Sequence, residues 1–128
     1  MITIALPFPV KLLWPNGRPP HWAAKHRAIK AARKLAWQET RVALGPHEPD
    51  WQKVNLAWVV HPKTAHHIDD DAPPAALKAF RDGIADALGI DDAHFTATYT
   101  IGAPVRGGAI EVSLSEAVQP SQIDGAQP

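Results

Sequence analysis

The chain has no cysteine among its 128 residues, so neither disulfides nor a thiolate-bound zinc can hold its fold. Long apolar runs are missing as well, and nothing approaches the roughly 20 consecutive apolar residues that a membrane-spanning helix needs. A basic stretch followed by an apolar one is absent at the N-terminus, where Pro7 and Pro9 interrupt the short apolar segment Met1 to Leu6. No signal peptide is therefore expected, and a cytoplasmic protein without a membrane partner is the default. Net charge is also lacking: 13 Lys and Arg balance 13 Asp and Glu. Taken whole, that balance argues against a nucleic-acid binder, since such domains carry an excess of cations.

The balance conceals an asymmetry. Residues 1–64 hold ten Lys or Arg against three Asp or Glu, about +7, whereas residues 65–128 hold three against ten, about −7. A basic surface beside a focused acidic cluster suits a metal-dependent enzyme acting on a polyanion, because the cluster repels phosphate until a cation fills it. Two halves of opposite sign can equally attract each other within the fold. Hydrophobic content of 45% over this length is enough for one compact domain with one core.

Periodicity places the elements. Ile2, Ile4 and Leu6 alternate and predict a short strand ended by Pro7 and Pro9. Leu12 to Trp22 is rich in Pro and Gly and reads as loop, yet it carries Asn16, Arg18, His21 and Trp22, side chains suited to touching a phosphate or stacking on a base. Trp22 to Leu44 has no Gly or Pro until Gly45-Pro46 and predicts a long helix. Helical spacing gathers Ala24, Ala28, Ile29, Ala32, Leu35, Ala36 and Val42 on one side. Arg27, Lys30, Arg33, Lys34 and Arg41 gather on the other, with Trp37 among them. An aromatic among cations is a platform for an exposed base; a solvated face is the plainer reading. Val54, Leu56, Trp58 and Val60 alternate as a second strand.

The chain then arrives at its most acidic stretch. Asp69, Asp70 and Asp71 stand side by side, and like charges that close repel unless protons, cationic side chains or a metal neutralise them. Mg²⁺ is the simplest neutraliser, being a hard cation held by carboxylate oxygens. Asp71 precedes a helix whose first turn accommodates Pro73 and Pro74, so helix capping accounts for one of these acids but not for three. Leu77, Phe80, Ile84, Ala87 and Leu88 form the buried stripe of that helix, and Gly89 is its stop. Lys78 is placed to reach back toward the acids. His94 to Ile101 predicts a third strand, residues 104–108 a hairpin-like turn, and Ala109 to Leu114 the partner strand. The resulting order, β-α-β-α-β-β, is an α/β (α+β) domain with helices packed on a mixed sheet. Residues 1–116 make the domain, and residues 117–128, without large apolar side chains beyond Val118 and Ile123, are expected to be a disordered tail.

The pattern Asp69-x-Asp71, then Lys78-Ala79-x-x-Asp82-Gly83-Ile84, then Ile90-Asp91-Asp92-Ala93, resembles the RusA-type Holliday junction endodeoxyribonucleases of bacteria and their phages. Leu6-Pro7-x-Pro9 and Asn16-x-Arg18 are similar to that family's opening segment, so the likeness runs from about Ile2 to Leu114. It implies a Mg²⁺-dependent homodimer, with Mn²⁺ a possible substitute, that resolves four-way DNA junctions in recombination and repair inside a bacterial cell. It also implies Asp69, Asp71 and Asp92 as catalytic acids and metal ligands, and Lys78 as the catalytic lysine. Contacts to DNA are expected from Asn16, Arg18, His21, Lys30, Arg33, Lys34, His66 and His67. Trp14, Trp37 and Trp51 are candidates for the dimer surface. Ala72 stands where the family commonly has asparagine, and His66-His67 where it is rich in arginine, which would make phosphate contact depend on acidity. Two other readings stay open: a DNA-binding relative without catalysis, and a small phage protein whose acids hold a structural metal or a protein partner.

Overall fold

Alternation of inward and outward side chains sets four strands in the computed structural model, which describes residues 1–15, 22–65, 68 and 72–117. Strand β1 spans Ile2–Leu6, β2 Val54–His61, β3 Phe95–Ile101 and β4 Ala109–Glu116. They form one mixed sheet in the order β1-β4-β2-β3, with β4 antiparallel to both β1 and β2 and β3 parallel to β2. The register puts Leu6 beside Ile110, Ile4 beside Val112 and Leu56 beside Leu114, so the apolar members of three strands share one face. Leu56, Val60, Ile110, Val112 and Leu114 are sealed from solvent there, as is Trp58 to within 1%. Each such side chain contributes roughly 1.5–3 kcal/mol to folding.

Helices cover that face. Helix α1 runs Trp22–Leu44, α2 Ala72–Ala76 and α3 Lys78–Leu88. The expected order of elements and the expected α+β class hold: this is a small single domain with a mixed sheet and helices packed on it. Parallel strands require a crossover, and α2 with α3 supplies it between β2 and β3. None of the helices described is long and apolar enough to cross a membrane.

Three local expectations are corrected. The stretch expected to be loop from Leu12 to Trp22 begins inside a 3-10 turn, Lys11–Leu13, which delivers Leu13 to the core. The helix expected to run unbroken from Pro73 to Leu88 is interrupted at Leu77, whose φ of −95° and ψ of 0° depart from helical values. Leu77 is nonetheless buried, and its N–H still bonds the Pro73 carbonyl. The largest difference concerns β4, which does not pair with β3 as a hairpin. Residues 102–108 instead cross over the end of β2, with the Gly102 N–H bonded to the Val60 carbonyl and the Val105 N–H to that of Pro62. Two strand spacings, about 10 Å, are within easy reach of seven residues. Burial decides the partner: Ile110, Val112 and Leu114 are fully enclosed only between β1 and β2, whereas β3 offers an edge whose Thr96, Thr98 and Thr100 face water.

The inner stripe of α1 also differs from expectation. Ala32, Ala36, Thr40 and Leu44, each four residues on, are its buried positions, while Val42 is 77% exposed and Ile29 36%. The stripe is aimed by α3, whose Gly83 lies against Arg33 and Ala36 so closely that no Cβ fits between the helices. Thr40 is tolerated inside because its hydroxyl donates to the Ala36 carbonyl at 2.7 Å.

Candidate functional site

Of the four residues expected to carry catalysis, Lys78 and Asp92 are described; Asp69 and Asp71 lie outside the described residues, as do Asn16, Arg18, His21, His66 and His67 among the expected DNA contacts. Lys78 opens α3, and Asp92 opens a 3-10 turn, Asp92–His94, that leads directly into β3. The 11 residues of α3 amount to about 16 Å of helix, so the two stand at opposite ends of it. Lys78 is expected to reach back toward acids that lie outside the described residues. Its Nζ turns along the helix to Asp82, 3.2 Å from Oδ2, in an i,i+4 pair.

Asp82 links two clefts. One, of about 300 Å³, is lined by Lys78, Asp82, Lys25 and the apolar Leu13, Ile29 and Ala79, together with neighbours on α2. The other, of about 400 Å³, is lined by Asp82, Asp86, Asp91, Asp92 and Arg33, with Gly89 and Ile90 at the end of α3. Four carboxylates facing one open cleft make its field negative, and Arg33 is the cation set among them. Arg33 donates two bonds to Asp86, Nε to Oδ2 at 2.6 Å and Nη2 to Oδ1 at 2.9 Å. This fork-to-carboxylate pairing holds the Asp86 carboxyl below its ordinary range, chiefly through the hydrogen bond.

Asp91 and Asp92 have separate duties. The side chain of Asp91 accepts from the Ala93 N–H at 2.9 Å and caps the turn, and that bond is the main cause holding its carboxyl below the ordinary range. Asp92 is thereby spared from capping, and its side chain remains 41% exposed at the cleft. Behind it stands Arg81, which the spacing of acids gave no reason to single out. Its Nη2 donates to the Asp92 main-chain carbonyl at 3.0 Å, and its Nε lies 3.8 Å from Asp92 Oδ2. The guanidinium sits over the Phe95 ring, 5.9 Å from its centroid. Burial raises the Tyr99 hydroxyl above its ordinary value, and the positive charge of Arg81 nearby opposes the rise.

No protein-family model matches the chain. An uncharacterized protein of Xylella fastidiosa (strain Temecula1 / ATCC 700964) is 37% identical to it over 128 residues, spanning 98% of this chain and 83% of the relative. The chain belongs to that protein's family. The alignment covers the segments of this chain that form the sheet, the helices and the cleft.

On the outer side of α1, Lys30 and Lys34 are exposed, and Trp37 among them is 43% exposed. Trp22 is 78% exposed and stacks on His26, with ring centroids 5.5 Å apart. The other two candidate dimer tryptophans face differently: Trp14 stacks on Phe8 and donates to the Pro9 carbonyl, and Trp51 packs partly buried against the core. Among the described residues no three His, Asp or Glu side chains stand close enough to hold a metal together, so a metal site at Asp92 depends on acids beyond them.

Proposed function

We propose that the protein is a Mg²⁺-dependent endodeoxyribonuclease that resolves four-way DNA junctions by paired phosphodiester hydrolysis, working as a C2 homodimer in DNA recombination and repair. The observation that carries this reading is Asp92: a carboxylate relieved of capping by its neighbour, open to a cleft walled by carboxylates, and backed by an arginine. Among the described residues that line its cleft the side chains able to hold a cation are carboxylates, and oxygen donors suit a hard divalent cation. Asp69, Asp71 and Asp92 would hold that ion. When bound, it would lower the pKa of a coordinated water and offset charge developing on the phosphate.

The chain's own groups have distinct parts. Lys30, Lys34 and Trp37 on α1 offer cations and a stacking surface to a backbone and an exposed base. Lys78, with a side chain 69% exposed, exchanges Asp82 for a phosphate when DNA enters the neighbouring cleft. Cutting two strands of like polarity symmetrically calls for two sites related by a two-fold axis. The test is a labelled synthetic four-way junction incubated with Mg²⁺, beside Asp71→Asn, Asp92→Asn and EDTA controls. Paired symmetric nicks in the wild type alone are expected, and an intact junction with Mg²⁺ and Mn²⁺ alike would sink the enzyme reading.

The pairing of Lys78 with Asp82, at the far end of α3 from Asp92, favours a second reading, a junction-binding relative without catalysis. Binding of the junction without nicking in either metal distinguishes it.

A further inference from the structure

We infer that Arg81 is a positioning residue for Asp92, acting on a divalent cation only through that carboxylate; the inference rests on the metal reading of Asp92 given above. Arg81 meets Asp92 twice from one planar group. Nη2 donates to its main-chain carbonyl at 3.0 Å, and Nε faces its Oδ2 at 3.8 Å. Nε is buried and has no hydrogen-bond acceptor among the described residues, so that carboxylate oxygen is the group set to receive it. The guanidinium has its own supports: it lies over Phe95, the first residue of β3, and near Tyr99 further along the same strand.

The chain of support therefore runs from α3 and β3 to the guanidinium, and from the guanidinium to the turn that carries Asp92. A three-residue 3-10 turn has little rigidity of its own. Its anchors are the cap from Asp91 to the Ala93 N–H at one side and Arg81 at the other. Partners that fix a ligating carboxylate from behind are worth 10- to 100-fold in metal affinity. The positive charge of Arg81 also repels a cation, in the opposite sense. Orientation is expected to outweigh repulsion because the guanidinium already faces the Asp92 carbonyl and carboxylate, whose negative charge partly offsets it. Lysine cannot replace it fully, since a single ammonium does not span both oxygens.

The test is Mn²⁺ binding to the full chain, followed by the electron paramagnetic resonance of free Mn²⁺, in wild type, Arg81→Met, Arg81→Lys, Asp92→Asn and the Arg81→Met/Asp92→Asn double variant. Arg81→Met is expected to weaken binding about tenfold or more. The double variant is expected to bind no more weakly than Asp92→Asn alone, because Arg81 acts through Asp92. Arg81→Lys, which keeps a charge over Phe95, is expected to melt with the wild type and bind several-fold more weakly; should Arg81→Met fail to fold, this variant decides by the same comparison. An affinity in the folded Arg81 variant equal to or above wild type, or losses that add in the double variant, overturns the inference. Wild type that binds Mn²⁺ with this coupling but never nicks a junction removes the nuclease reading and leaves the positioning role. Wild type that binds and nicks, with an Arg81 variant indistinguishable from it, does the reverse. Wild type that binds no Mn²⁺ ends both.

Discussion

Gly83 allows α1 and α3 to touch. A Cβ there would overlap the Arg33 carbonyl and come within 2.9 Å of the Ala36 Cβ, and both belong to a helix backbone or its stem that cannot swing aside. Gly83→Ala is expected to destabilise the fold by about 1–3 kcal/mol, despite the better helix propensity of alanine, as measured by urea unfolding. The Arg33–Asp86 pair is a smaller matter. Its side chains are 51% and 43% exposed, so solvent screening limits the pair to below about 1 kcal/mol. Its sign is definite: Arg33 lowers the folded-state pKa of Asp86 beneath the unfolded value of about 3.9, so the contribution is complete above that pH and is lost as pH falls through the folded value. Thermal melting from pH 6 to pH 2 should therefore fall slightly more steeply for wild type than for Asp86→Asn. Parallel curves would show the pair to be energetically idle.

Helix α1 does two jobs with one amphipathic pattern. Its inner positions, Ala32, Ala36, Thr40 and Leu44, are small enough to let α3 approach, which turns the larger Ile29 and Val42 outward. Arg41 ties the helix ends together, donating to the Ala87 carbonyl of α3 and to Glu48 beyond α1. Lys30, Lys34 and Trp37 stay exposed for a partner, as do Lys25 and Arg27. Because these are exposed, Lys30→Gln and Lys34→Gln should leave the melting temperature within experimental error. In the proposed role each should lower affinity for a four-way junction and reduce the slope of log K against log salt by about 1. Titrations between 50 and 200 mM salt read this directly, and unchanged slopes would move the DNA surface off α1. At the break between α2 and α3, Leu77→Ala is expected to cost about 2–5 kcal/mol, since the side chain is 1% exposed.

At the scale of the whole molecule, the proposed symmetric incision predicts a dimer, and sedimentation equilibrium at micromolar concentration should return twice the 13.9 kDa chain mass. A strict monomer would count against it. The opposite charges of the two halves meet inside one copy as well: basic α1 of the first half is paired with α3 of the second through Arg33–Asp86, so part of the asymmetry serves the fold itself. Local sequence determined much of this protein. Periods of two and near four residues place every strand and the long helix, and Gly89, at φ 68°, ends α3 where a glycine stop was expected. Such signals were legible because they lie within a few residues of the structure they specify. The partner of β4, the outward turn of Ile29 and Val42 and the support of Asp92 by Arg81 were decided only by tertiary structure. Turn residues after β3 set where the chain bends but not which strand it then meets, and that choice belongs to the enclosure of Ile110, Val112 and Leu114 between β1 and β2. Arg81 and Asp92, eleven residues apart across the end of a helix, share no periodicity that a sequence displays; they meet where the chain turns back after α3 and the guanidinium lies over Phe95.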